Sequence, residues 1–147
     1  MAKEIERKFL VKSDSYKKDS IKTLSITQGY IMRADKGIVR VRTIDNQGYI
    51  TIKTKNRGNT RHEWEYPIPF QDAEEMINLL CDGPVIVKKR YIVPFEGHKW
   101  EIDVFSSPRE MAVAEVELES EDEPVILPDF IGEEVSGNPA YYNSNLS

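Results

Sequence analysis

The 147-residue chain has little of what would make its assignment simple: one cysteine, two histidines and no long apolar run. The single thiol, Cys81, excludes a disulfide framework within the chain and any thiolate metal cluster, and fits a reducing cytoplasm. His62 and His98 are too few and too scattered for a zinc site and are expected as ordinary surface or loop residues. No segment approaches the ~18 apolar residues of a membrane span, and "MAKEIERKF" lacks the apolar stretch of a signal peptide. The expectation is a soluble, cytoplasmic protein. A basic excess is also missing, with 20 Lys and Arg against 25 Asp and Glu and a formal net charge of -5. A general nucleic-acid binder carries a basic footprint over an outer surface, so no nucleic-acid partner is expected.

What is present is charge and alternation. Charged residues make up 31% of the chain and hydrophobic ones 39%, with a mean hydropathy of -0.51. The aromatic fraction of 10% nevertheless sets the sequence apart from disordered chains. This length suits one domain, 1–147, that buries a core without staples. Apolar and polar residues alternate with the period of a strand over 5–11, 26–32, 38–43, 49–54, 62–67, 85–93, 100–105 and 112–119. Mostly antiparallel meanders are expected. One stretch, "QDAEEMINLLCDGP", reads as a long helix, with Ala73, Met76, Ile77 and Leu80 on one face and Asp72 and Glu75 as a capping box. Gly83 and Pro84 stop it, and Cys81 is expected as a small hydrophobe on its apolar face. The tail from Ser120 is turn-rich, with a short helix expected after Asn138 and Pro139 at its first position. Packing against a barrel end and a lid over a site both suit that tail.

The polar faces of these strands carry an unusual pattern. Charges of one sign recur at i and i+2 as Glu4/Glu6, Arg40/Arg42, Lys88/Arg90 and Glu115/Glu117, and Lys8, Lys53, Glu63/Glu65 and Glu101/Asp103 occupy equivalent faces. Like charges so placed are destabilising unless groups of opposite sign meet them from neighbouring strands. If the sheet closes with these faces inward, the lumen holds about six basic and about eight acidic groups and is no dry core. The basic side suits a polyanion such as phosphate. The acidic side, Glu4, Glu6, Glu115 and Glu117, suits a hard divalent cation bound through oxygen, Mg²⁺ or Mn²⁺.

These residues resemble the CYTH domain, or triphosphate tunnel metalloenzyme, superfamily, in its short bacterial form. The ExExK signature stands as Glu4, Glu6 and Lys8, followed in order by "QGY", "VRVR", "TIK", "RHEWE", "KKRY", "EIDVF", "EVEL" and "GEEVS". The resemblance implies a mainly β fold, an eight-stranded antiparallel barrel open at both ends with helices packed outside, that binds triphosphate with a divalent metal. It implies that Lys8, Arg40, Arg42, Lys53, Lys88 and Arg90 hold phosphate and that Glu4, Glu6, Glu115 and Glu117 hold metal. Glu63 and Asp103 are implied as metal or water ligands or as partners that orient the basic side chains.

The expected activity is metal-dependent hydrolysis of inorganic tripolyphosphate by water, with Lys88 as candidate general base because neighbouring cations could depress its pKa. An organic triphosphate enzyme (adenylate cyclase, thiamine triphosphatase or nucleoside triphosphatase) is the alternative within the family. A polyphosphate-binding module without chemistry is the alternative of another class. Tyr30, Trp64 and Tyr91 are expected in barrel packing or at the rim rather than as stacking platforms for an organic group.

Overall fold

Strand alternation builds one closed sheet in the computed structural model, which describes residues 2–55, 57 and 60–141. The strands are β1 (Ala2–Val11), β2 (Lys22–Ala34), β3 (Gly37–Ile44), β4 (Gln47–Thr54), β5 (Thr60–Ile68), β6 (Ile86–Phe95), β7 (His98–Ser107), β8 (Met111–Glu117) and β9 (Ile131–Glu134). Two helices, α1 (Tyr16–Asp19) and α2 (Phe70–Leu80), lie between them, and a 3₁₀ turn spans Pro139–Tyr141. Neighbours run in the order β5-β4-β3-β2-β6-β7-β8-β1, all antiparallel, and β1 pairs back onto β5 to close an eight-stranded barrel.

β1 joins the two edges by changing partners along its length. Its start pairs with β5, from Ala2↔Glu63 to Ile5↔Thr60, and its later part with β8, from Glu6↔Glu117 to Leu10↔Val113. Its end also receives β9, at Phe9↔Glu134 and Val11↔Ile131. This ninth strand was not expected. It is four residues long in a proline-rich tail, too short for alternation to register. Ser136 fastens it, its hydroxyl accepting from the Lys8 amide at 2.9 Å, while Arg7 holds Glu134 with two side-chain hydrogen bonds.

Outside the barrel, apolar faces are covered from two sides. The tail and α1 bury Phe9, Trp100, Ile102, Val116, Tyr16 and Phe130 in one cluster. Helix α2 covers Val41 with Ala73 and Ile77. It starts earlier than the capping box implied: Pro69 occupies the N-cap, its carbonyl accepting from the Ala73 amide at 3.0 Å, so Asp72 falls within the first turn and caps nothing. The chain turns extended at Cys81, before Gly83 at φ 92°. Cys81 is half-buried rather than sealed in the core, and its Sγ lies 1.6 Å from where a Cβ on Gly29 would stand. The glycine of "QGY" is thus the space that lets the end of α2 reach β2. The turn at Pro139–Tyr141 is the short helix expected after Asn138, and residues 142–147 of the tail lie outside the described residues.

Candidate active site

The inward side chains of the barrel form two layers. Toward the starts of β1 and β5 they are charged: a cavity of about 160 Å³ is walled by Glu4, Glu6, Arg40, Arg42, Lys53, Arg61, Glu63, Arg90, Glu101, Glu115 and Glu117. Two residues further along several of the same strands the lumen becomes apolar. Tyr30, Ile86, Phe105 and Val113 pack there with Leu10, Ile38 and Tyr141. These buried side chains form an apolar floor beneath the charged cavity.

Within the charged layer, groups of opposite sign meet across strand pairs. Lys53 Nζ lies 3.0 Å from Glu63 and 3.4 Å from Glu4, and Arg61 stands 3.9 Å from both Glu4 and Glu6. Arg42 donates to Glu65 at 3.2 Å, the hydroxyl of Thr51 donates to the same oxygen at 2.9 Å, and Arg40 donates to Thr51 at 3.3 Å. Asp103 receives a two-pronged grip from Arg90, Nε at 2.7 Å and Nη2 at 2.9 Å, together with Lys88 Nζ at 2.7 Å. Lys8 donates to the carbonyl of Tyr141 at 2.9 Å and stands 3.3 Å from Glu115.

The structure therefore brings nine of the expected residues onto one cavity wall: Glu4, Glu6, Arg40, Arg42, Lys53, Glu63, Arg90, Glu115 and Glu117. Lys8, Lys88 and Asp103 are in the lumen but set back from that wall. Two wall residues, Arg61 and Glu101, and Glu65, which supports Arg42 and Thr51, were not among the expected site residues, although Glu65 and Glu101 were placed on the charged face. Their signal was position alone, since each sits two residues from one that was. Gln28 was missed as well; it is fully buried, opposite Arg42 in register, and neither of its amide atoms has a hydrogen-bond partner.

Burial and pairing move the ionisation of these groups in opposite directions. Burial, then Glu115 and Glu4 on either side, raises the Glu6 carboxyl well above its usual range. Burial also opposes ionisation of Glu4, but Lys53, a hydrogen bond with Glu6, and Arg61 outweigh it and hold Glu4 at about 2. Glu115 is likewise pulled down against burial, chiefly by Lys8. Burial pushes Lys88 down to about 7; Asp103 works against this and Arg90 adds to it. One carboxylate serves two cations there, and the guanidinium takes the bidentate share. Lys88 is the cation left able to lose its proton.

Aromatic platforms are absent from the described part of the cavity wall. Tyr30 belongs to the apolar floor, Tyr91 packs outside against Tyr16 at 5.3 Å between ring centroids, and Trp64 pairs with Ile52 on the outer face of the sheet. Among the described residues no three carboxylate, imidazole or thiol side chains form a preformed metal cage, and no helix is long and apolar enough to cross a membrane. His98, expected on the surface or in a loop, is the half-buried first residue of β7 and is tied to Glu123 at 2.5 Å.

Comparisons with known proteins agree with this geometry. The model of the CYTH domain matches residues 2–144. An inorganic triphosphatase of Acetivibrio thermocellus is 46% identical over 147 residues, covering 99% of this chain and 94% of that protein. One of Nitrosomonas europaea is 32% identical, covering 98% and 96%. A crystal structure of an inorganic triphosphatase, 31% identical, superposes with a TM-score of 0.69 over 99% of this chain and 95% of that one. A Pyrococcus furiosus protein, 21% identical with a TM-score of 0.63 over 81% and 80% of the two chains, shares the fold alone.

Proposed function

The chain belongs to the CYTH domain family, and from that premise we propose that it is a metal-dependent inorganic triphosphatase that hydrolyses tripolyphosphate by attack of water. One observation carries the reading: a small cavity inside the barrel, walled wholly by charged side chains, four arginines and a lysine with six carboxylates, of which Glu4, Glu6, Glu115 and Glu117 stand on the adjacent strands β1 and β8. A linear phosphate anion supplies negative charge to Arg40 and Arg42, which share a single carboxylate, Glu65, at 3.8 and 3.2 Å. Catalysis of phosphoryl transfer rests mainly on positioning and charge neutralisation, which this wall is built to provide.

Glu4, Glu6 and Glu115 are the donor set for a divalent cation. They fit one because three carboxylates meet there, with Glu4 and Glu115 both opposing ionisation of Glu6, a repulsion that a cation relieves, and because Glu4 Oε2 is buried without a hydrogen bond. The absence of a closed cage matches ions such as Mg²⁺ or Mn²⁺, which use few carboxylates and complete their shell with substrate oxygens and water. When bound, such an ion polarises the phosphoryl oxygens and neutralises charge that develops on them. Glu117, at the open end of the cavity, is the outer member of this set. Glu63 and Asp103 act instead as orienting partners: their oxygens hold Lys53, and Arg90 with Lys88.

Lys88 is the candidate base. Its lowered pKa permits a neutral amine near neutral pH, Asp103 fixes its direction, and the ring of Phe105, 5.1 Å away, screens it from bulk water. Lys53 on the wall, with Lys8 set behind it, holds the phosphate chain as a point charge, and the orphaned amide of Gln28 offers a neutral donor beside Arg42. The lack of an aromatic platform on the wall favours an inorganic substrate over one with a base or thiamine to seat.

Phosphate release from tripolyphosphate, ATP and thiamine triphosphate, measured side by side with Mg²⁺, Mn²⁺ or EDTA, tests the proposal. Selective tripolyphosphate turnover that needs metal and is lost in Glu4→Gln and Arg40→Ala is the expected result. Preference for an organic triphosphate reassigns the substrate, and tight triphosphate binding without turnover converts the protein into a binding module.

A further inference from the structure

The outer face of β2 to β5 carries two parallel apolar rows, and only one of them is covered. Cross-strand registers define the first as Gly29–Val41–Ile50, and α2 lies over it through Ala73 and Ile77. The second is Met32–Val39–Ile52–Trp64, the next outward position on β3, β4 and β5 and, on β2, the residue beyond a register shift at Tyr30/Met32. No helix lies over it: Met32 is 50% and Ile52 40% exposed, while Val39 and Trp64 are half-buried and the ring of His62 stands 6.3 Å from that of Trp64. Large side chains at mid-strand in a contiguous row, rather than scattered singly, mark a contact surface.

The two borders of the row differ in charge. On one side stands α2, which carries Asp72, Glu74 and Glu75, all exposed, and no basic residue. On the other lie the β2–β3 turn and the ends of β4 and β5, with exposed Lys36, Lys55 and Arg57 and a single acid, Asp35. These basic groups line a depression of about 560 Å³. A two-fold axis running along an apolar row superposes the row on itself and exchanges its borders. The acidic helix of one copy then meets the basic depression of the other, twice.

We propose that this face is a self-complementary interface and that the chain forms a two-fold dimer through Met32, Val39, Ile52 and Trp64, with α2 of each protomer against the basic depression of its partner. The isologous arrangement needs no second protein, because both halves of the charge match are present on one surface. Arg61 lines both the depression and the active-site cavity, so the interface borders the site.

Sedimentation velocity of the whole protein at ~10–100 µM checks this, a range in which a specific dimer of micromolar affinity is well populated. A species of twice 17.0 kDa is expected. Ile52→Lys should weaken association at least tenfold while leaving the melting transition and tripolyphosphate turnover in place. A second test does not depend on the apolar row. Glu74→Lys with Glu75→Lys in one chain, and Lys36→Glu with Lys55→Glu in another, should each give monomers, and mixing the two should restore a dimer. A monomeric wild-type protein throughout that range overturns the proposal. So does a dimer untouched by Ile52→Lys, or charge-reversed variants that fail to pair when mixed; capture of some other partner by the face would accompany the first of these.

Discussion

The two layers of the lumen are built from the same strands and obey opposite rules. On β1, Lys8 and Leu10 are successive inward residues; on β6, Lys88 and Ile86; on β7, Asp103 and Phe105; on β8, Glu115 and Val113. In each case one step along the strand exchanges a buried charge for a buried hydrocarbon. The floor holds the barrel together, because apolar burial is favourable wherever it occurs. The charged layer, by contrast, costs desolvation at every group and is tolerated only through its pairs. Stability and chemistry are thus separated by about 7 Å along each strand, the rise of two residues.

Four experiments would break or sharpen that contrast. The largest effect is expected at Lys88, where Lys88→Arg keeps the charge and removes the neutral form; tripolyphosphate kcat should fall about 10³-fold, within the usual range for a lost general base. In the wild type, kcat should rise as pH passes through about 7, because the neutral amine is the active form, and that limb should vanish in the variant. A variant with unchanged kcat and an unchanged profile removes Lys88 from the role of base.

Next comes Glu6→Gln, which should lower turnover about 10²–10³-fold, the scale of a lost electrostatic contact. The same substitution should leave the metal-free protein at least as stable as wild type at pH 8. The sign follows from linkage. The raised folded-state pKa of Glu6 means that its protonated form stabilises the fold, most fully at pH below the ordinary carboxylate value, and that this stabilisation is lost as pH rises through the folded pKa. Gln mimics the protonated form and escapes that loss. Thermal melts with EDTA at pH 5 and pH 8 would show it, and a stronger destabilisation at pH 8 than at pH 5 would contradict it.

In the floor the balance should invert. Ile86→Ala removes a fully buried side chain and should cost about 3 kcal/mol by denaturant titration, while the folded variant turns over tripolyphosphate within about threefold of wild type. The smallest effect is expected at the tail. Arg7 and Glu134 form a partly exposed pair, and Glu134→Gln should cost no more than about 0.5 kcal/mol, vanishing in high salt.

The division was only half legible in the sequence. Alternation reports which residues share a face, and it placed nearly every charged wall residue correctly because like charges at i and i+2 are rare on a freely solvated strand. It could not report which end of a face becomes the floor, since Tyr30 or Phe105 reads equally well as core or rim. Nor could it separate Asp103 from Glu4. Both are inward acids, and only the grip of Arg90 and Lys88 on the first, and the company of Glu6 beside the second, distinguish an orienting partner from a metal donor. The contact from Lys8 to the Tyr141 carbonyl spans 133 residues, and no local pattern announces it.

The change of partners along β1 also bears on the order in which the chain can acquire its shape as it is made. The strand that seals the barrel is made before all of its partners, and it needs β5, then β8, then β9 to do so. The β2–β3–β4–β5 meander can form from short-range hairpins soon after synthesis, but β1 must wait, half-paired, until residues near 134 arrive. Contacts of that sequence separation are slow to form, and an unpaired edge invites association in the interval. A nascent chain stalled before β8 should therefore hold a sheet but no cavity, with the donors on β1 still exposed to water.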